Sequence, residues 1–280
     1  MLNMIRMELY RMVRMKSFWV IMIIVGFMNV ITVAMNDAIM DNEEIQQAIA
    51  AAEGSKDSPA ANIGMNVSVK RNSDGSYDFL ELIGAAARGM LCALFVGIFT
   101  VLYATADFST GYIKNYGGGV KHRYHMVFSK ATGVLAYTLL FFAVFIGSSC
   151  LGAVIAGRRL VFASAAKTIE IIGMQLLLHM TFGLVIMALC LAVRNNLISM
   201  IVSVCISANV FLVLYSLIDK GLKKLGWKKA AIENYTVSGR ILKYGADDAK
   251  MLGSTLVVIA AFTVASFLIG SVCMSKKDLA

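Results

Sequence analysis

The sequence predicts an all-α integral membrane protein with about six transmembrane helices, and three observations carry that prediction. Of its 280 residues, 59% are hydrophobic and only 15% charged, with a mean hydropathy of +0.74, far from the balance of a soluble globular chain. Apolar runs of roughly 18 residues or more recur along the whole chain, each long enough to cross a hydrocarbon core about 30 Å thick as a helix. The runs lack the short alternating segments of a transmembrane barrel.

Residues 1–17 come first. Leu2, Ile5, Leu9, Met12 and Val13 share one helical face while Arg11 and Arg14 project from another, the pattern of a helix lying along a membrane surface. Arg6, Arg11, Arg14 and Lys16 precede the apolar stretch 18–35, which is too long for a signal-peptide core and is not closely followed by a small-x-small cleavage site. This stretch is expected to persist as the first span. The loop 36–82 looks soluble, with the single proline, Pro59, and a candidate helix over 42–53 behind an Asp41 cap. Later spans are expected at 83–106, 132–156, 171–193, 197–218 and 251–274, with polar connections at 107–131 and 219–250.

Charge sets the expected orientation. Basic residues precede the first span and Asp37, Asp41, Glu43 and Glu44 follow it, which puts the N-terminus in the cytoplasm of a multi-pass plasma-membrane protein. The connection 107–131, Arg194, Lys276 and Lys277 then lie inside as well. Segment 219–250 opposes this bias, because Lys220, Lys223, Lys224, Lys228, Lys229, Arg240, Lys243 and Lys250 fall outside. Moving them inside would need a further crossing over 158–170, which is too polar. The formal charge of +9 is read as topology and contact with anionic lipid, with no nucleic acid expected.

Catalytic and metal signatures are missing from the sequence. The 5 cysteines fall in apolar runs without C-x-x-C spacing. Gly117, Gly118, Gly119 and Lys121 do not form a phosphate-binding loop, and His122 and His125 are spaced i,i+3 with no third ligand nearby, so neither an enzyme nor a bound cofactor or metal is expected. The polar residues inside spans, Asn29, Gln175, His179 and Asn209, admit two readings: hydrogen-bonding glue between helices, or the lining of a pathway. Gln175 and His179, at i,i+4, share a face. Arg88, near the outer end of the second span, is expected to snorkel to the interface. Gly147, Ser148, Ser149 and Gly152 would let helices approach closely on the third span. Trp227, Tyr235 and Tyr244 interleave with lysines and suit the headgroup level.

The stretch "DFSTGYIKNYGGGVKHRYHMVFSK", 107–130, is longer than a hairpin between spans requires. Gly111 and the triple glycine flank a short segment, 112–116, with an aromatic at each end. With "ELYRMVRMKSFWV" ahead of the first span, this stretch resembles the ABC-2 type permeases, in particular the small permeases of Gram-positive peptide export and lantibiotic self-protection. Asp107, Phe108, Gly111, Ile113, Lys114, Asn115, Gly119, Arg123 and Lys130 occupy the pattern of that family, while the triple glycine and "HRYH" depart from it.

The resemblance implies six spans in the ABC-2 exporter arrangement, an N-terminal interfacial helix, and a cytoplasmic coupling helix including Tyr112 and Tyr116. It also implies two copies of a separate ABC ATP-binding subunit that hold the ATP and magnesium, a second permease copy as homodimer or paralogue, and an amphipathic or antimicrobial peptide, or another lipophilic substrate. Lys114 and Arg123 are expected to meet the ATPase and Lys130 the lipid. A sensor or assembly partner with a ligand-binding outer loop is the reading from another class; a neighbouring gene for an ABC ATPase separates the two.

Overall fold

A computed structural model describes residues 2–40, 72, 74–109, 111, 124–162, 164–224, 232–245 and 251–276. Ten helices are seen among them: α1 (Leu2–Arg14), α2 (Lys16–Met40), α3 (Phe79–Arg88), α4 (Leu91–Ser109), α5 (Tyr124–Ile155), α6 (Ala165–Val193), α7 (Asn196–Ser207), α8 (Phe211–Lys224), α9 (Val237–Lys243) and α10 (Leu252–Lys276). A parallel two-residue ladder joins β1 (Tyr77–Asp78) to β2 (Leu160–Val161), and a 3-10 turn covers Ile232–Tyr235. The chain is thus all-α in its architecture, as expected.

Among the described residues, five stretches are long and apolar enough to cross a membrane: Lys16–Met35, Leu91–Phe108, Tyr124–Ile155, Ala165–Val193 and Leu252–Ser275. A sixth arises if α7 and α8, bent by 66°, count as one. Contacts at the two ends of the bundle decide how the bent pair runs. At one end Arg11 meets Asp107 at the close of α4, Asp107 meets Lys130 at the start of α5, and Arg194, just after α6, donates to the Cys273 carbonyl at the close of α10. At the opposite end Gln175 of α6 holds the carbonyls of Ile241 and Tyr244, and Arg240 of α9 reaches Ser254 and Thr255 at the start of α10. Because α6 finishes at the first end and α10 begins at the second, α7 and α8 traverse the bundle once as a broken helix. The described part of the basic segment 219–250 therefore lies at the end of the bundle opposite Arg11 and Lys130.

Local chemistry explains the breaks. Asn209 sits at φ 56 between α7 and α8, a left-handed conformation that asparagine tolerates better than most side chains. Asn195 caps α7 by accepting from the Ile198 amide at 3.2 Å, and Asp78 caps α3 by accepting from Leu80 at 2.9 Å. Arg194 ends α6 in the left-handed region, its amide donating to Cys190 O at 2.8 Å.

Several expected boundaries shift. The second span was expected as one helix over 83–106, but it breaks after Arg88: the Gly89 amide closes α3 on Ala85 O, Met90 turns to φ 64, and α4 starts anew. Residues 83–87 are buried under other elements, so their apolarity serves protein packing. The third span starts at Tyr124 instead of 132, and the fourth at Ala165 instead of 171. Both connections around them are shorter than hydropathy suggested, because a helix continues through polar residues, of which Lys130 pairs with Asp107 and Glu170 accepts from Tyr244. The expected helix over 42–53 and Trp227 lie outside the described residues.

α4 and α6 form the middle of the bundle, each 61% buried along its span, whereas α2 is 33% and α10 only 17% buried. The outward faces of the latter two are apolar, with Ile23, Phe27, Val257, Val264 and Leu268 exposed, as suits lipid contact. Inside, Phe99 stacks on Tyr137 with ring centroids 3.6 Å apart, and Phe18, Phe141 and Phe145 extend the aromatic column.

Candidate functional site

The roots of the connection 107–123 are joined by buried charge. On α1, Met4, Glu8 and Met12 fall on one stripe, which turns the Glu8 carboxylate into the bundle at 3% exposure. The apolar face expected from sequence is therefore rotated: Leu2 and Val13 point outward and Glu8 takes the centre. On α4, Tyr103 and Asp107 are one turn apart and both buried. Tyr103 donates to Glu8 Oε2 at 2.6 Å, Arg11 pairs with Glu8 at 2.9 Å and with Asp107 Oδ1, and Lys130 of α5 donates to Asp107 Oδ2 at 2.6 Å. Arg11 and Lys130 also stand over the Tyr103 ring, at 5.4 and 4.9 Å from its centroid. Gly133 makes room, since a Cβ there would strike the Tyr103 phenol.

Two carboxylates and two cations make this cluster neutral as a whole, which is what permits its burial. Burial of the Arg11 guanidinium would by itself lower its pKa; the Glu8 and Asp107 carboxylates overcome that and hold it above its ordinary value. Lys130, expected to face lipid, is instead 4% exposed and committed to Asp107, because α5 starts a turn and a half before it and carries it into the bundle. Phe108 lies under the Arg194 guanidinium at 5.3 Å, and Gly111 adopts φ 66, its amide donating to Phe108 O at 3.4 Å. Tyr112, Ile113, Lys114, Asn115, Tyr116, Gly119 and Arg123 lie outside the described residues.

The four polar residues of the spans do not converge on one site. Asn29 donates to Ser148 Oγ at 2.9 Å, Ser149 Oγ at 2.7 Å and Phe145 O at 3.1 Å, so it fastens α2 to α5. Asn209 is the hinge residue of the broken helix. Gln175 and His179 do come together, with His179 Nδ1 at 2.7 Å from Gln175 O. A carbonyl only accepts, so Nδ1 carries a proton. Gln175 spends its amide on Ile241 O at 3.1 Å and Tyr244 O at 2.9 Å, which fixes α9 on α6. Tyr244, buried beside α6 and donating to Glu170 at 3.2 Å, has its phenol pushed up to about 12 by burial and by that carboxylate. Arg88 does not snorkel: it pairs with Glu81 at 3.1 Å and donates to Gly245 O at 2.9 Å.

Tyr103 and Gly133 carry no mark in the sequence, and Arg11 stands there only as a basic residue projecting from α1. Glu8 has one signal, an acid in the middle of the Met4–Met12 stripe of an otherwise basic helix. No group of His, Cys, Asp or Glu that could hold a metal occurs among the described residues. The chain matches no protein-family model and no curated protein sequence.

Proposed function

We propose that the chain is the membrane-spanning permease subunit of an ATP-driven ABC-2 type exporter, working with a second permease copy and two ATP-binding subunits to move amphipathic or antimicrobial peptides across a bacterial plasma membrane. Its ends and the connection 107–123 face the cytoplasm in this reading. The support from sequence is the match at Asp107, Phe108, Gly111, Ile113, Lys114 and Asn115. The support from structure is the ion cluster: Asp107 binds α1 and α5 at once, so a push on the connection cannot displace α4 without also moving α1 and α5. A joint meant to transmit force from a docked ATPase needs that stiffness, and a slack linker lacks it.

Co-purification with a candidate ABC ATP-binding subunit from the same cells tests this reading. The wild-type pair is expected to form a stable complex whose ATP hydrolysis rises with peptide, and Tyr112→Ala/Ile113→Ala/Tyr116→Ala is expected to lose both. A complex and a stimulation unchanged in that variant would remove the coupling role from 112–116. Survival of cells against a panel of peptides and lipophilic drugs, with and without both proteins, identifies the substrate class.

A further inference from the structure

At the end of the bundle opposite Asp107, α9 carries a buried cation that pairs with no carboxylate among the described residues. Arg240 is 5% exposed. Its Nε donates to Asn234 O, and its Nη1 to Ser254 Oγ at 3.0 Å and Thr255 Oγ1 at 3.3 Å. All three acceptors are neutral. The neighbouring carboxylate, Glu233, is taken by Lys243 at 3.1 Å, and no other described carboxylate pairs with Arg240. Lys130, the other fully buried cation among the described residues, sits on Asp107.

The surroundings raise the demand for an anion. Ser254 and Thr255 belong to the first turn of α10, a helix of 25 residues whose positive dipole end adds to the guanidinium charge. Burying a cation without a counter-charge costs several kcal/mol, so a site of this kind is expected to recruit one. Arg240 Nη2 takes no acceptor among the described residues and is not sealed in. Directly along the helix from this cationic corner the outward face of α10 is apolar, with Leu256, Val257, Val264 and Leu268 exposed. A cationic, hydroxyl-lined head position above an apolar wall has the shape and polarity of a phospholipid.

We propose that Arg240, beside the exposed Ser254 hydroxyl, binds a phosphoryl anion, namely the phosphodiester of a membrane phospholipid whose acyl chains lie along α10; Ser254 Oγ accepts from Arg240 and donates to Met251 O at 3.0 Å, and its proton turns to the phosphate when the lipid binds. The lipid supplies the counter-charge that the described residues lack and pins α9 to the start of α10. Arg240 is the positioning charge, Ser254 the exposed hydroxyl that completes the head position.

The full chain in detergent tests this, using dioctanoyl phosphatidylglycerol, dioctanoylglycerol with the same chains but no phosphate, and inorganic phosphate. Phosphatidylglycerol is expected to raise the thermal unfolding midpoint and to slow amide exchange over 232–245, and dioctanoylglycerol to do neither. Arg240→Gln is expected to lose both effects and Ser254→Ala to weaken them; should Arg240→Gln not fold, Arg240→Lys and Ser254→Ala decide. An equal effect of inorganic phosphate would keep the phosphoryl site and overturn lipid as its source. Equal protection by dioctanoylglycerol, or protection undiminished in Arg240→Gln, would overturn the proposal. So would a wild type insensitive to lipid whose midpoint falls in Asp247→Asn/Asp248→Asn, since those carboxylates would then supply the counter-charge.

Discussion

Lys130 Nζ donates to Asp107 Oδ2 across 2.6 Å at the mouth of the connection they flank, while Arg11 occupies the other carboxylate oxygen. One buried carboxylate thus serves two cations from two different helices. Removing it leaves Lys130 charged and enclosed, and the loss of one partner of a buried pair costs about 3–5 kcal/mol. Asp107→Asn is accordingly expected to lower the unfolding midpoint of the purified chain by more than Lys130→Met does, because the methionine leaves Asp107 still paired with Arg11. Thermal unfolding of both variants in one detergent gives the ordering, and an equal loss would show that Arg11 contributes nothing at Asp107.

The Gln175 amide satisfies two carbonyls at the close of α9. Leucine at that position fills similar volume but leaves Ile241 O and Tyr244 O without that donor, at about 1–3 kcal/mol for the buried groups. Gln175→Leu is expected to accelerate amide exchange in α9 while exchange in α4 stays as in the wild type. Uniform acceleration in both would mean that α9 is not an independently anchored element.

The spans could be read from the sequence and the junction could not, and the reason is physical. Whether 171–193 or 251–274 can cross a membrane is a property of the run itself, so composition suffices. That Lys130 turns to Asp107 depends on where a helix 23 residues away ends, which no local pattern encodes. Residues 83–87 illustrate the same limit: they are as apolar as a span, yet they are covered by protein, and the break at Gly89 and Met90 was carried only by a glycine beside an arginine. Asn29 shows a partial success, since one of its two readings, helix glue, holds in full. Glu8 was legible in principle, because a single acid on the apolar stripe of a basic helix calls for a buried partner.

Asn209 holds a left-handed backbone at the 66° bend between α7 and α8. Glycine adopts that conformation freely, whereas a β-branched side chain pays about 1–2 kcal/mol. Asn209→Gly is expected to unfold near the wild-type temperature and Asn209→Val clearly below it. A valine variant as stable as the wild type would show that the bend relaxes at no cost and is not imposed by packing.

The path of the chain through the bundle predicts which positions share a side of the membrane. Lys224, exposed at the close of α8, and Val161, 45% exposed on β2, lie at the Arg240 end; Arg14 lies at the Asp107 end. In a background with the 5 native cysteines replaced by alanine, Lys224→Cys and Val161→Cys are expected to react with an impermeant maleimide applied to intact cells. Arg14→Cys is expected to react only after permeabilisation, in the proposed orientation. The pairing matters more than the orientation, because α7 and α8 forming a re-entrant loop would move Lys224 to the side of Arg14. Lys224 protected together with Arg14 while Val161 is labelled, or the reverse of that pattern, would therefore contradict the single broken crossing, whereas Arg14 labelled with Lys224 and Val161 protected would overturn only the direction in which the protein is inserted.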